Sequence, residues 1–154
     1  MDNTETVKTK RTVINVDQRV ADQIVPRLDQ TDFFGLGKAT CARADLFLYA
    51  MAVGWDSQLK APIQKSSTGG FVRTEYFTPK ADVLIKVMHF KEIGFDNPDG
   101  LRDINEGYDL AESYANAGFQ LIEGDLNDRI DSEEKANMIV FDLNKRYLEL
   151  FGEQ

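Results

Sequence analysis

The segment Glu112-Ser-Tyr-Ala-Asn-Ala-Gly-Phe-Gln-Leu-Ile-Glu-Gly-Asp125 carries no proline and reads as part of one helix, from Tyr108 to about Glu123. It sets an aromatic pair (Tyr114 and Phe119), an amide (Asn116) and a glycine (Gly118) on an acidic background. It holds no histidine, cysteine or basic residue, so it reads as a packing or docking element and not as an active site. Helices are predicted on both sides of it. Upstream, Asn97-Pro98 puts a capping side chain before a proline whose fixed φ suits a first turn, and a helix starts near Leu101 with a weak point at Gly107. Downstream, Asp131 with Glu134 resembles a capping box, and residues 132–150 form a last helix carrying Met138, Ile139, Phe141, Leu143, Tyr147 and Leu150.

Farther toward the N-terminus the cap-plus-proline signal recurs at Thr78-Pro79. The helix it opens, to about Ile93, is apolar on most sides (Val83, Leu84, Ile85, Val87, Met88, Phe90), the pattern of a core helix. Phe71-Val-Arg-Thr-Glu-Tyr-Phe77 reads as a strand, paired in a hairpin with residues near Ile63 across the Ser-Ser-Thr-Gly-Gly turn at 66–70. Ala44, Phe47, Leu48, Met51 and Ala52 mark a helix capped by Thr40 and ended by Gly54 in the left-handed conformation. Several small residues between Ala39 and Ala52 predict close approach to a neighbouring helix. Asp17 caps a helix through Val20, Ile24 and Leu28 that Pro26 is expected to kink or shorten. Thr12-Val-Ile-Asn-Val16 is a short β-branched strand. The fold class is mainly α with a small β-hairpin (α+β): a flexible N-terminal arm over 1–11 and a single mostly helical domain over 12–154.

A chain of 154 residues is long enough to bury a core without metals or disulfides. Cys41 is the only cysteine, which excludes an internal disulfide and a cysteine cage for zinc. No signal-type stretch opens the chain, and no segment approaches the roughly 20 apolar residues that span a bilayer. The expectation is a soluble cytoplasmic protein. Its net charge of −8 is uneven: residues 1–91 hold 13 Lys/Arg against 10 Asp/Glu, and residues 92–154 hold 5 against 16. The acidic end repels nucleic acid at long range and can steer a basic protein partner.

The residues that could carry chemistry read as structural. His89, the only histidine, lies on the apolar helix over 79–93, where a buried role fits better than proton transfer. Carboxylate pairs such as Asp103/Glu106 and Asp109/Glu112 have the spacing of solvated helix faces. Cys41 has no partner base nearby in sequence. Phe33-Phe-Gly-Leu-Gly-Lys-Ala-Thr40 lacks the first glycine of a phosphate loop, and Asp96-Asn-Pro-Asp-Gly100 is a turn and helix start, not a calcium loop. No catalytic residue, metal or cofactor is expected. Two weak signals point to nucleic acid: Lys8, Lys10 and Arg11 before the strand over 12–16, and Lys60, Lys65, Arg73 and Lys80 around a Gly-Gly turn with nearby aromatics.

Three segments then act together: Asp45-Leu-Phe-Leu-Tyr-Ala-Met-Ala-Val-Gly-Trp55, Ala61-Pro-Ile63 with Tyr76-Phe77, and Ser113-Tyr-Ala-Asn-Ala-Gly-Phe-Gln-Leu-Ile122. In that order and spacing the chain resembles the small proteins encoded beside bacterial DNA-phosphorothioation (Dnd) clusters, the system-associated protein four family. The resemblance covers roughly residues 12–126 and leaves the last helix outside. It implies a non-enzymatic adaptor of an anti-phage defence complex, bridging larger ATPase (SMC-like or helicase-like) or nuclease subunits, with DNA reached through the complex. In that reading Tyr114, Asn116, Gly118 and Phe119 shape a packing or docking surface, and the acidic region with Asp125 and Asp128 meets a basic partner. The alternative is a small DNA-binding regulator using residues 8–16 and the basic hairpin over 60–80.

Overall fold

A computed structural model describes residues 9–34, 41–94, 97–128 and 132–152. Its elements are β1 (Val13–Ile14), a π-helical turn (Val20–Ile24), α1 (Val25–Gln30), α2 (Arg43–Asp56), β2 (Val72–Arg73) and a 3-10 turn (Thr74–Tyr76). Then come α3 (Pro79–Ile93), a 3-10 turn (Pro98–Arg102), α4 (Ile104–Asn127) and α5 (Ser132–Phe151). The fold class is as expected: mainly α with one small antiparallel β element.

The helix of the opening segment is longer than its pattern promised and occupies the centre. α4 runs unbroken through Gly107, with the Asp103 carboxylate accepting from the Asn105 N–H at 2.9 Å as its cap. From Ala111 to Phe119 every residue but Ser113 is buried, so neighbours lie on all sides of it. Tyr108, Phe119 and Ile122 each lose nearly all solvent contact, which contributes roughly 2–3 kcal/mol apiece.

Small residues let α2 reach the α4 backbone. A Cβ added to Gly54 would stand 2.0 Å from the Tyr114 carbonyl oxygen, and one added to Gly118 would stand 1.8 Å from the Ala50 carbonyl oxygen. Each helix thus sets a glycine against the other's main chain, four residues after the residue of its own whose carbonyl meets the other helix's glycine. The expected close approach is present. The role given to Gly54 is corrected: it lies inside α2, which continues to Asp56, because contact with α4 and not a left-handed cap is what requires glycine there. Thr40, the expected cap, lies outside the described residues, as do Asp131 and the loop over 35–40.

α3 begins as read, with the Thr78 hydroxyl accepting from the Ala81 N–H and proline in the first turn. Its expected place in the core is corrected. Only Ala81, Ile85, Met88 and His89 are buried, one face of the helix against α4, while Val83, Leu84 and Val87 face solvent. The central position went to α4, whose alanines and glycines admit neighbours from every direction.

The β pairing is also corrected. Val13 pairs with Arg73 and Ile14 with Val72, antiparallel, so the segment over 71–77 joins the N-terminal strand and not residues near Ile63. Further bonds run from Ser67 N–H to Val16 O (3.0 Å) and from Gln18 N–H to Lys65 O (2.7 Å), extending the contact past the Ser67–Gly70 turn. Pro26 acts as anticipated: the Val25 N–H reaches back to Val20 O, a wide turn that delivers the chain to a residue without an N–H. The described part of the arm is tied down, because Thr9 O accepts from the Asn105 amide and Lys10 pairs with Asp82 at 2.8 Å.

α5 stands apart from this core. Ile139 packs against it and Arg146 pairs with Asp56 of α2. Val140, Phe141, Leu143 and Leu148 remain more than half exposed.

Gly118→Ala and Gly54→Ala each drive a methyl into backbone, where no side chain can turn aside. Each is expected to cost about 3 kcal/mol or more, and to lower the thermal midpoint by about 10 °C. Gly124→Ala, with no atom within 4 Å of the added Cβ, is the control and should leave the midpoint unchanged or slightly higher. Circular-dichroism melts of the three variants check this.

Candidate interaction surface

Parts of all three sequence segments meet along α4. Asn116 is 2% exposed, and its Nδ2 donates to the carbonyls of Ala61 (3.3 Å) and Pro62 (3.1 Å). The Ala61 N–H donates in turn to Ser113 O at 3.0 Å. An extended stretch with no helix or strand of its own is thereby fastened to α4. Two donors of one amide engaged by two carbonyls fix which way the Asn116 side chain points, and its Oδ1 is left buried without a hydrogen-bond partner among the described residues. Asn116 also lines a small cavity of about 170 Å³ with Asp17, Pro62, Gln64 and Gln120.

Two residues earlier, Tyr114 donates its hydroxyl to Glu92 of α3 in a short hydrogen bond. Lys60 completes the cluster, 2.5 Å from Glu92 and 5.1 Å from the centre of the Tyr114 ring. The Lys60 and Tyr114 bonds hold the Glu92 carboxyl below its ordinary value. Burial and the adjacent Glu92 push the Tyr114 phenol up. A second triad repeats the arrangement at the other end of α3, where Asp82 accepts from Tyr108 at 3.0 Å and from Lys10 at 2.8 Å. Phe119 fills the interior and meets Phe71 edge to face, with ring centres 5.9 Å apart.

Tyr114, Asn116, Gly118 and Phe119 are therefore interior residues. Tyr114 and Asn116 spend their polar atoms inside the chain, and Gly118 faces α2. Asp125 and Asp128 are exposed at the C-terminal end of α4, open to an approaching partner.

The basic residues expected to contact DNA are largely spent on carboxylates of the same chain. Lys10 faces Asp82, and Lys60 faces Glu92. Arg11 lies 3.0 Å from Asp109 and 3.3 Å from Glu112, the second contact Coulombic because the Nη2 geometry makes no hydrogen bond. Arg73 pairs locally with Glu75. Lys65 and Lys80 have no ion-pair partner among the described residues, and Lys8 lies outside them. Two further clamps, Arg19 on Glu123 at 2.5 Å and Arg43 on Asp29 at 2.7 Å, were not legible in spacing, since neither pair shares a helix.

Among the described residues, Glu112 is the one buried carboxylate. Burial raises its pKa, opposed by the Asn15 N–H at 2.7 Å and by Arg11. Asp17 carries three backbone N–H groups, from Arg19, Gln64 and Lys65. Burial acts to raise its pKa, and those bonds outweigh it and bring it down. His89 is buried with Nε2 4.0 Å from Glu106. Burial and then Asp45 raise the Cys41 thiol, the opposite of what a reactive thiolate needs. Among the described residues no group of three or more His, Cys, Asp or Glu side chains is placed to hold a metal, and no helix is long and apolar enough to cross a membrane.

These features describe a small helical protein built on a glycine-mediated helix crossing, with its motifs invested in that crossing and in fastening one loop. The chain belongs to the DNA sulphur modification system-associated protein 4 family, whose model matches residues 27–149. The match reaches through most of α5 and omits β1, which corrects the expectation that the last helix falls outside the family. No curated protein and no solved structure matches the chain.

The Glu92 cluster gives a pH signature. A carboxyl lowered in the folded state stabilises above its ordinary value of 4.5, and that contribution is lost as pH falls through the folded value. The difference in thermal midpoint between the native chain and Glu92→Gln is expected to be present at neutral pH and to close under acid conditions below 4.5. A difference that stays constant across the titration would show that ionisation of Glu92 contributes nothing.

Proposed function

We propose that this protein is a non-enzymatic accessory subunit of a DNA-linked bacterial defence complex, bridging the larger ATPase or nuclease proteins of the sulphur-modification system. Membership of a family associated with that system supplies the context. The observation that carries the adaptor role is α5. It is held to the body by Arg146–Asp56 and Ile139 and presents Val140, Phe141, Leu143 and Leu148 to solvent. Such a run of large apolar side chains on one element is characteristic of protein–protein contact surfaces. Asp125 and Asp128, exposed where α4 ends, add an acidic rim suited to a basic partner.

The regulator alternative draws less support. A protein that binds duplex DNA alone needs cations free for phosphates. Lys10, Arg11, Lys60 and Arg73 are committed to carboxylates within the chain.

Co-expression with the larger proteins of the system tests the proposal. A complex is expected to co-purify and to be lost on Leu143→Asp together with Phe141→Asp, with the far-ultraviolet dichroism and melting point of the subunit preserved. Charge reversal at Asp125 and Asp128 is expected to weaken it by several-fold, more at low salt than at high. If the isolated subunit instead binds duplex DNA at near-physiological salt, with affinity falling steeply as salt rises, the regulator reading replaces this one.

A further inference from the structure

The outer face of α3 differs from the rest of the surface. Lys80, Val83, Leu84, Val87 and Lys91 follow one another at three- and four-residue steps, so they form one stripe along the helix. All five are exposed, Val83 at 59% and Val87 at 47%, and Lys86 lies beside them. The ion pairs described above take up the cations of the neighbouring elements. Lys65 excepted, the lysines and arginines with described side chains that have no carboxylate partner are Lys80, Lys86 and Lys91, and all three lie on α3. The carboxylates of α3 itself turn the other way, Asp82 to Lys10 and Tyr108, Glu92 to Lys60 and Tyr114. Lys91 extends over the Trp55 ring, 5.8 Å from its centre, and keeps its ammonium beside the stripe. In a chain of net charge −8, one helix face thus holds a short aliphatic ridge bounded by unpaired positive charge.

We propose that this face docks an acidic amphipathic helix of a partner protein. Leucine-like residues at helical spacing on the partner cover Val83, Leu84 and Val87, and flanking carboxylates reach Lys80, Lys86 and Lys91. Charge complementarity selects that occupant. A nucleic acid backbone uses the lysines but leaves the aliphatic ridge wet. A bilayer surface calls for a broader apolar sector with aromatic anchors, which these three aliphatic side chains do not supply. The inference rests on the accessory-subunit reading and adds to it the second face that bridging requires, on a different element from α5.

The test uses the full chain co-purified with the larger proteins of its system and treated with a zero-length carbodiimide, which joins an amine only to a carboxylate in contact with it. Mass spectrometry is expected to find Lys80, Lys86 or Lys91 joined to Asp or Glu of another polypeptide. The triple variant K80E/K86E/K91E and, separately, Val87→Asp are expected to weaken that association at least tenfold while melting like the native chain. A complex that forms normally with the triple variant and shows no such cross-links overturns this inference and leaves the α5-based reading standing. Absence of any complex sinks both. Cross-links between two copies of this chain, or saturable binding of duplex DNA or phosphatidylserine vesicles lost in K80E/K86E/K91E, would overturn it in favour of self-association or a polyanion.

Discussion

The main-chain contact between α2 and α4 is the constraint on which the rest of the structure depends. With Gly54 against the Tyr114 carbonyl and Gly118 against the Ala50 carbonyl, the two helices approach without a layer of side chains between them. That closeness fixes where the flanking residues fall. Phe47 and Phe77 stack at 5.9 Å, Phe77 meets Tyr108, and Phe119 turns toward Phe71. The loop at Ala61–Pro62 is drawn onto Asn116 because α2 ends close beside α4. A side chain at either glycine would spread the helices and displace all of these together, which is why one contact has such wide reach.

Electrostatics organise the layer outside that core. The basic first half and acidic second half of the chain look, in sequence, like two surfaces awaiting different partners. In the folded chain part of one is the counter-ion of the other: Arg11, Arg19 and Lys60 close loops of roughly thirty to a hundred residues onto α3 and α4. Individually such exposed pairs stabilise by little, on the order of 0–1 kcal/mol. Their joint effect is on register and on surface character, since they leave the acidic surplus and the α3 lysines as the charges a partner meets.

Much of the architecture was legible because it rests on local rules. Thr78-Pro79 and Asn97-Pro98 announce helical starts through capping chemistry that needs no tertiary context. Alanine and glycine density in α2 announced a close neighbour. What sequence did not reveal depends on partners distant along the chain. Periodicity made α3 look central, because apolar side chains on several faces read as burial, yet only contact with α4 decides which face is covered. Gly54 fits both a helix end and a helix crossing, and its position relative to Tyr114 separates them. The strand over 71–77 found Val13–Ile14, some sixty residues upstream, where a turn signal had favoured a local hairpin. For the site, Tyr114, Asn116 and Phe119 stand out in sequence by residue type, and spacing alone does not show that the fold places them in the interior. The exposed Asp125 and the apolar surface of α5 are what the fold leaves available.

The buried Glu112 gives the N-terminal segment an importance that the family match does not convey. The match begins at residue 27, after β1, yet the side chain that most needs neutralising in α4 takes its hydrogen bond from Asn15 and its nearest positive charge from Arg11. A fragment cut at the match boundary would keep α2, α3, α4 and most of α5 and lose the groups that solvate this carboxylate in the interior. The set of residues that solvates this carboxylate is therefore wider than the stretch the family model matches, and the first strand and its neighbours act as an internal solvent for a charge on the central helix.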